Sequence, residues 1–379
     1  MHLRKQLHVK IPSFKLERYF AEYEFGTKYM LSASDCESMT IGELFTFAET
    51  DLSTLVDTHL GYTESRGHPE LRQQISHLYS EVNEDQVLVF SGAEDAIFCI
   101  MNTLVKKGDH IIVQFPSYQS LSSVAESRGI EVAKWKLDER FEWQLDLEFL
   151  KKNIKSNTRL VVVNFPHNPT GTIMRGSEYE ELIEICEKNQ LLLLQDEVYR
   201  FSEFTANVAL PPAADLYENA LSLGVMSKTF GLPGLRIGWI VTRNNEIYQK
   251  LAQFKDYTTI CNSAPSEVIA IEALKIKDKI IRRTLKILRY NVHMLDNFFS
   301  TYSHVFEWVR PTGASTAFPR LSLDQTVNDF CTALRTEKEV LLLPGSVFDY
   351  PSNFRIGFGR KNMEEGLSKL SEFLEEKGY

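Results

Sequence analysis

One rhythm dominates the middle of the chain: short apolar runs separated by longer amphipathic stretches. Val87–Phe90, Ile111–Phe115, Leu160–Phe165, Leu191–Gln195, Ala220–Met226 and Ile237–Val241 read as strands, apolar on both sides rather than on alternate residues. That pattern suits strands buried on both faces. Between them, Glu94–Val105 and Glu178–Lys188 carry apolar residues at helical spacing. The alternation predicts an α/β fold, a mostly parallel sheet sandwiched by helices.

The last third of the chain changes character. Ser266–Phe299 is long, charged and helical in period, and Gln325–Lys338 and Met363–Lys377 read as two more helices. Short strand and turn segments, VLLLPGSVF and FRIGFG, lie between those two. Helices mixed with short strands predict a smaller α+β domain. The stretch before residue 46, with a helix at Leu16–Phe25, is too short to fold alone and is expected to join it. The division expected is a large domain at residues 46–258 and a small one made of residues 1–45 and 259–379.

Composition narrows the function. Lys and Arg number 42 against 51 Asp and Glu, a net charge of −9. An acidic chain lacks the clustered cations that phosphate backbones require, so nucleic acid is not an expected partner. Lys275–Arg289 is basic but reads as an exposed helix face. No run approaches the ~20 apolar residues of a membrane span, and no signal-like apolar run follows the basic N-terminus, so the expected location is the cytoplasm with no membrane partner. The five cysteines are scattered without a CxxC pair, which predicts isolated thiols and no metal site.

Chemistry concentrates at the ends of the expected strands, where open α/β sheets bind ligands. The segment SLGVMSKTFGLPGLRIGW ends a strand at Ser227 and Lys228, and Arg236 follows in a Gly/Pro-rich turn. A lysine at a buried strand end can be desolvated into a usable amine nucleophile, and Ser227 with Arg236 can hold an anion. Taken alone, Lys228 fits a solvated surface turn better. Ser91-Gly92-Ala93-Glu94 passes from strand to helix and presents backbone N–H groups to an anion. LLLQDEVY ends a strand with Asp196 and places Tyr199 three residues on; FPHNPTG opens a loop containing Asn168.

In family order, GYTESRGHPELR, SGAEDAI, FPSYQS, NFPHNPTG, DEVY, SKTFGLPGLRIGW, VLLLPGSVF and FRIGFG resemble the class I/II aminotransferases, the fold type I, aspartate-aminotransferase-like enzymes that use pyridoxal 5′-phosphate. The resemblance spans about Leu60 to Phe358. It implies that Lys228 forms a Schiff base with the cofactor and later moves the proton at Cα, and that Asp196 keeps the pyridine nitrogen protonated. Tyr199 and Asn168 would bond the cofactor's phenolic oxygen, and Tyr118 would stack on its ring. Ser227, Arg236 and the N–H groups of Gly92, Ala93 and Glu94 would hold its phosphate. Tyr62 would reach the phosphate of a neighbouring subunit, making a homodimer with shared sites. Arg355, helped by Asn168, would take the substrate α-carboxylate.

The implied reaction passes an amino group from an amino acid to a 2-oxo acid. The motifs also allow β-elimination, decarboxylation or cyclisation of an amino acid, and a non-catalytic regulator that merely binds the cofactor. Two positions depart from the family pattern. Glu94 sets a carboxylate where many relatives carry a neutral or basic residue, so its side chain is expected to turn from the phosphate or to bind something else. The N-terminal segment YFAEYEFGTKYMLSASDCESM instead resembles that of capreomycidine synthase-like members. His167 reads as a local contact of its loop, and Arg360 as a solvated arginine.

Overall fold

The computed structural model describes residues 11–379. Its centre is a seven-stranded sheet built from β1 (Val87–Phe90), β2 (His110–Phe115), β3 (Glu131–Lys136), β4 (Thr158–Asn164), β5 (Leu192–Asp196), β6 (Ala220–Val225) and β7 (Gly238–Val241). The spatial order is β1-β7-β6-β5-β4-β2-β3. Every pairing from β6 through β3 is parallel; β7 runs antiparallel to both β6 and β1. The reversal has a use. The C-terminal ends of β1, β4, β5 and β6 share one edge of the sheet, and only an antiparallel β7 brings its N-terminal end, just after Arg236, to that edge.

Six strands coincide with the apolar runs to within two residues at either end. The seventh, β3, was not expected, because EVAKWK mixes charged and apolar residues. It lies at the sheet edge, where one flank meets solvent and apolar continuity is not required. In the central strands, neighbours point to opposite faces. Ile111, Val113, Leu160 and Val162 join helices Ala93–Thr103, Ser120–Ser127 and Asn245–Lys255 in one apolar cluster. Ile112, Val161, Val163 and Leu193 join helix Gly176–Lys188 in another. This is the two-sided burial that the sequence pattern requires.

The expected long helix at Ser266–Phe299 is two helices, Ala264–Lys275 and Lys277–Thr301, because Ile276 leaves the helical region at φ −111°, ψ 23°. The first packs Ile269, Ala270, Ile271, Ala273 and Leu274 with Val87, Val89 and Trp239 of the sheet. The second buries a single stripe, Leu288, Val292, Leu295 and Phe299, against a separate cluster with Phe330, Leu370 and Phe373.

In that second region the strand Tyr29–Met30 pairs parallel with Val340–Leu341, and Thr316–Ala317, Phe354–Gly357 and Leu343–Pro344 form a small antiparallel sheet. The backbone of Phe354–Gly359 lies directly against residues 31–37: Gly357 N donates to Leu31 O at 2.8 Å, and Glu37 N to Gly359 O at 2.8 Å. A Cβ on Gly357 would stand 1.7 Å from Ala33 O, and one on Gly359 2.3 Å from Asp35 O, so only glycine permits this approach. Among the described residues no helix is long and apolar enough to cross a membrane.

Candidate active site

The shared edge of the large sheet opens into a cavity of about 630 Å³. Asn164 ends β4, Asp196 ends β5, Ser227 and Lys228 follow β6, and all four line it. So do Ala93, Glu94, Tyr118, Asn168, Tyr199, Arg236 and Arg355. The fold therefore gathers residues spread over most of the chain into one place. Tyr62 stands outside, on the surface, with 93% of its area exposed.

The cavity floor is tightly tied. Asn164 Nδ2 donates to the Asp196 carbonyl at 2.8 Å, and its Oδ1 accepts from the Asn168 N–H at 2.8 Å. The loops after β4 and β5 are thereby fixed by one amide. The Asp196 carboxylate is buried, and its Oδ1 accepts the Val198 N–H at 3.2 Å. Burial pushes this carboxyl up to about 7, against the opposing pull of that N–H and of the Lys228 ammonium. A buried acid in this condition calls for a cation beside it. Tyr199 is also buried, and its hydroxyl has no partner. The Lys228 Nζ lies 5.7 Å from the Tyr199 ring centroid and donates to Ser34 Oγ at 2.9 Å.

A second group forms an anion cradle. Gly92, at φ +86°, caps helix Ala93–Thr103, and a Cβ there would stand 2.5 Å from an Arg236 Nη. The glycine lets the guanidinium lie against the first turn of the helix, whose free N–H groups face the cavity. Arg236 itself adopts φ +52°, and the buried Ser227 hydroxyl has no partner. Glu94 Oε2 accepts from Ser120 Oγ at 2.9 Å, while burial pushes its carboxyl up.

The wall opposite holds Arg355. It is fully buried, donating from one Nη to Asn168 Oδ1 at 3.1 Å and from the other to the Ser32 carbonyl at 2.7 Å, and its Nε has no partner. Burial pulls the guanidinium below its ordinary value, which an anion beside it would reverse. Tyr118 leaves the floor and reaches across, its hydroxyl donating to Glu17 Oε1 at 3.1 Å and its ring 5.0 Å from that of Phe14.

Two sequence readings are settled by contacts. His167 Nδ1 meets Thr170 Oγ1 at 2.7 Å and Nε2 meets the Pro116 carbonyl at 2.8 Å, and burial pulls its pKa down to about 3, so it is a neutral strut of its loop. Arg360 is not a free surface arginine. It lines the cavity and donates from Nη2 to both Asp35 carboxylate oxygens, at 3.0 and 2.9 Å. Sequence reasoning also passed over Glu17, Ser34 and Asp35; the glycine spacing of GFG, which lets two backbones meet, was the one local signal.

With this geometry in hand, likenesses to known proteins carry weight. The family model for "Aminotransferase class I and II" matches residues 48–370. The chain belongs to the class I and II aminotransferases. Like that family it is a pyridoxal-phosphate-dependent enzyme of the transferase class. This aminotransferase is similar to capreomycidine synthase of Streptomyces vinaceus, at 32% identity over 96% of this chain and 94% of the relative. It is similar to aspartate aminotransferase of Thermococcus kodakarensis, at 31% identity over 83% and 81%. A PLP-dependent aminotransferase from Streptococcus suis has the same fold at TM-score 0.92 and 33% identity, covering 97% of this chain and 98% of that one.

The site of this aminotransferase fits the family's cofactor on its own chemistry. The glycine-floored cradle with Arg236 and an unpartnered Ser227 hydroxyl suits a phosphate. The buried Asp196 suits a protonated ring nitrogen, the unpartnered Tyr199 hydroxyl suits a phenolic oxygen, and Lys228 suits an aldehyde.

Proposed function

We propose that the chain transfers the amino group of an amino acid to a 2-oxo acid, with Lys228 as covalent anchor and proton carrier. The observation that carries this is the convergence of Lys228, Asp196, Tyr199 and Arg355 on one cavity. Bound pyridoxal phosphate supplies the aldehyde that takes the amino group and the ring that draws electrons from Cα. The protein's own residues do the rest. Asp196, held by the Val198 N–H, keeps a proton on the ring nitrogen. Gly92, Ala93 and Glu94 N–H groups, Ser227 and Arg236 fix the phosphate. Tyr199 and the donor side of the Asn168 amide, whose oxygen is taken by Arg355, bond the phenolic oxygen, and Tyr118 flanks the ring. Arg355 fixes the substrate α-carboxylate in a fork no lysine can copy, so the Cα–H bond points at Lys228, whose free amine removes that proton and returns one.

The working form is a homodimer in which Tyr62 completes the partner's phosphate site. Leu52, Val56, Leu60 and Tyr62 are exposed, as are Tyr257 and Ile260. The two segments adjoin, since the Lys255 ammonium bonds the carbonyls of both Ser65 and Ile260. A patch this apolar on a chain without a partner is a docking face. We place the enzyme in the cytoplasm, where unpaired thiols such as Cys36 and Cys261 persist.

A second reading, another reaction at Cα or Cβ such as cyclisation, has in its favour the full-length similarity to capreomycidine synthase. The decisive experiment treats purified protein with borohydride and maps the fixed cofactor. Labelling of the Lys228 peptide, lost in Lys228→Ala with a fall in turnover of ~10²–10⁴-fold, is expected. Retained labelling in that variant would refute the anchor. In untreated protein, release of a 2-oxo acid with the amino group left on the cofactor, and no ammonia freed, separates transamination from the second reading.

A further inference from the structure

Lys255 is a buried charge that the reaction above does not use. It ends helix Asn245–Lys255, is 1% exposed and makes no ion pair among the described residues. Burial pulls its ammonium below its ordinary value. Asp95 and Glu267 are near enough to act on its charge, yet both turn to other donors. Asp95 Oδ2 accepts from the Ser91 N–H and from Thr259 Oγ1, each at 3.2 Å. Glu267 Oε1 accepts from the His68 N–H at 3.3 Å and from Asn262 Nδ2 at 3.0 Å. The ammonium donates instead to the carbonyls of Ser65 and Ile260, both at 2.7 Å. Burying a cation is costly, and this one neutralises no carboxylate; what it does is tie two stretches of chain together.

Both stretches hold large side chains out in solvent. Tyr62 stands three residues before Ser65 and Tyr257 three before Ile260, and the two tyrosines are 93% and 90% exposed. The second stretch is strained as well. Ile260 is β-branched at φ +59°, and Lys255 holds it from both sides, since the Lys255 carbonyl accepts the Ile260 N–H at 3.3 Å. Strain of this kind persists only where the surroundings fix it, and it gathers at working sites. Tyr62 does not line the cavity of its own chain. We propose that Lys255 is a positioning residue for the cofactor site of the partner subunit: by fixing the Ser65 carbonyl and the turn at Ile260, it sets the arm that carries Tyr62 to the neighbour's phosphate. This rests on the homodimer reading above. The effect acts across the interface, from the lysine of one chain to the cofactor of the other.

The test uses mixed dimers in which one chain carries Lys228→Ala, so that borohydride can fix cofactor in a single site per dimer. Lys255→Met is placed either on that chain or on the chain that keeps Lys228. Both dimers hold the same substitutions, so a general loss of stability affects them alike. The half-saturation of labelling is read with pyridoxal phosphate and with pyridoxal, which lacks the phosphate. With Lys255→Met on the Lys228→Ala chain, half-saturation by pyridoxal phosphate should rise about five- to ten-fold while that by pyridoxal stays put. With Lys255→Met on the chain that keeps Lys228, neither should move. Equal effects in the two dimers, a larger effect in the lysine's own chain, or an effect shared by pyridoxal overturns the proposal. Lys255→Gln, which keeps a donor, replaces the Met variant if that chain does not fold, with the same direction expected and a smaller size. Tyr62→Phe in the same two placements separates this proposal from the reading beneath it. If Tyr62→Phe is silent across the interface, the shared-site reading falls and takes the proposal with it. If it acts across the interface and Lys255→Met does not, only the role of Lys255 falls.

Discussion

The floor and the rim of the cavity are made differently. Floor residues sit within four residues of a strand end, mostly buried and cross-tied: Asn164 alone fixes the β5 carbonyl and the Asn168 loop. Rim residues come from the segment before residue 36 and from Arg360 after the last strand, and they are half-buried or exposed. The floor is preorganised by the sheet, as electrostatic work on a bound ring demands. The rim is held by side-chain pairs such as Arg360–Asp35 and has fewer constraints to lose when a ligand displaces it. A fold that fixes chemistry and leaves recognition on a lighter scaffold can change substrates without changing reaction.

If the floor is the rigid half, its centre should tolerate least. Asp196→Asn keeps the shape and removes the charge, and we expect turnover to fall ~10²–10³-fold with the fold intact. The same residue gives a stability signature. Its pKa rises from 3.8 to about 7 in the folded protein. Across that window the folded apoprotein keeps a proton that the unfolded chain has lost, so stability falls as pH rises. Cofactor-free Asp196→Asn should lose that part of the slope, leaving what the other raised carboxyls contribute, among them the half-buried Glu203 at about 7. Thermal melts of both apoproteins between those pH values measure the difference; identical slopes would mean that Asp196 is not desolvated as described.

The contrast also governs what the sequence disclosed. Floor residues travel in contiguous motifs, because a strand end, its turn and the next helix are adjacent in the chain. Lys228 with Arg236, and Asp196 with Tyr199, could be read together for that reason. The rim has no such locality: Asp35 and Arg360 meet only because Gly357 and Gly359 let the C-terminal strand lie on residues 31–37. Read alone, Arg360 looked solvated. The same logic explains the fold. Two-sided apolar runs betrayed the buried strands, while the edge strand β3 and the turn at Ile276 depend on what each segment packs against, which no local pattern records.

Arg355 lies between the two halves, tied to the floor through Asn168 and to the rim through the Ser32 carbonyl. Its variants should weaken substrate use and spare the cofactor. Charge-assisted bonds contribute ~1.5–3 kcal/mol each, so losing one on Arg355→Lys should lower kcat/KM for an α-amino acid about ten- to hundred-fold. Colour and borohydride labelling should persist. The comparison substrate is the matching amine without a carboxylate. If both suffer equally, Arg355 supports the floor and is not the carboxylate anchor.

The finest test of the division is Ser34, the one rim residue bonded to Lys228. Its hydroxyl accepts from Nζ at 2.9 Å, and its carbonyl accepts from Ser315 Oγ at 2.8 Å, so the loop holds its place without the side chain. Lys228 is half-buried, and water can replace the lost acceptor in Ser34→Ala. A net bond of ~0.5–1.5 kcal/mol then predicts a fall in kcat/KM of about two- to ten-fold. The fall should appear in kcat more than in KM, because the hydroxyl orients the amine that moves the proton and does not touch the carboxylate clamp. Labelling at Lys228 should be unchanged, since the sheet, not the rim, carries the lysine to the cavity. Loss of labelling in Ser34→Ala would show that the rim positions the anchor itself, and the separation of a rigid chemical floor from an adjustable rim would fail at its most direct contact.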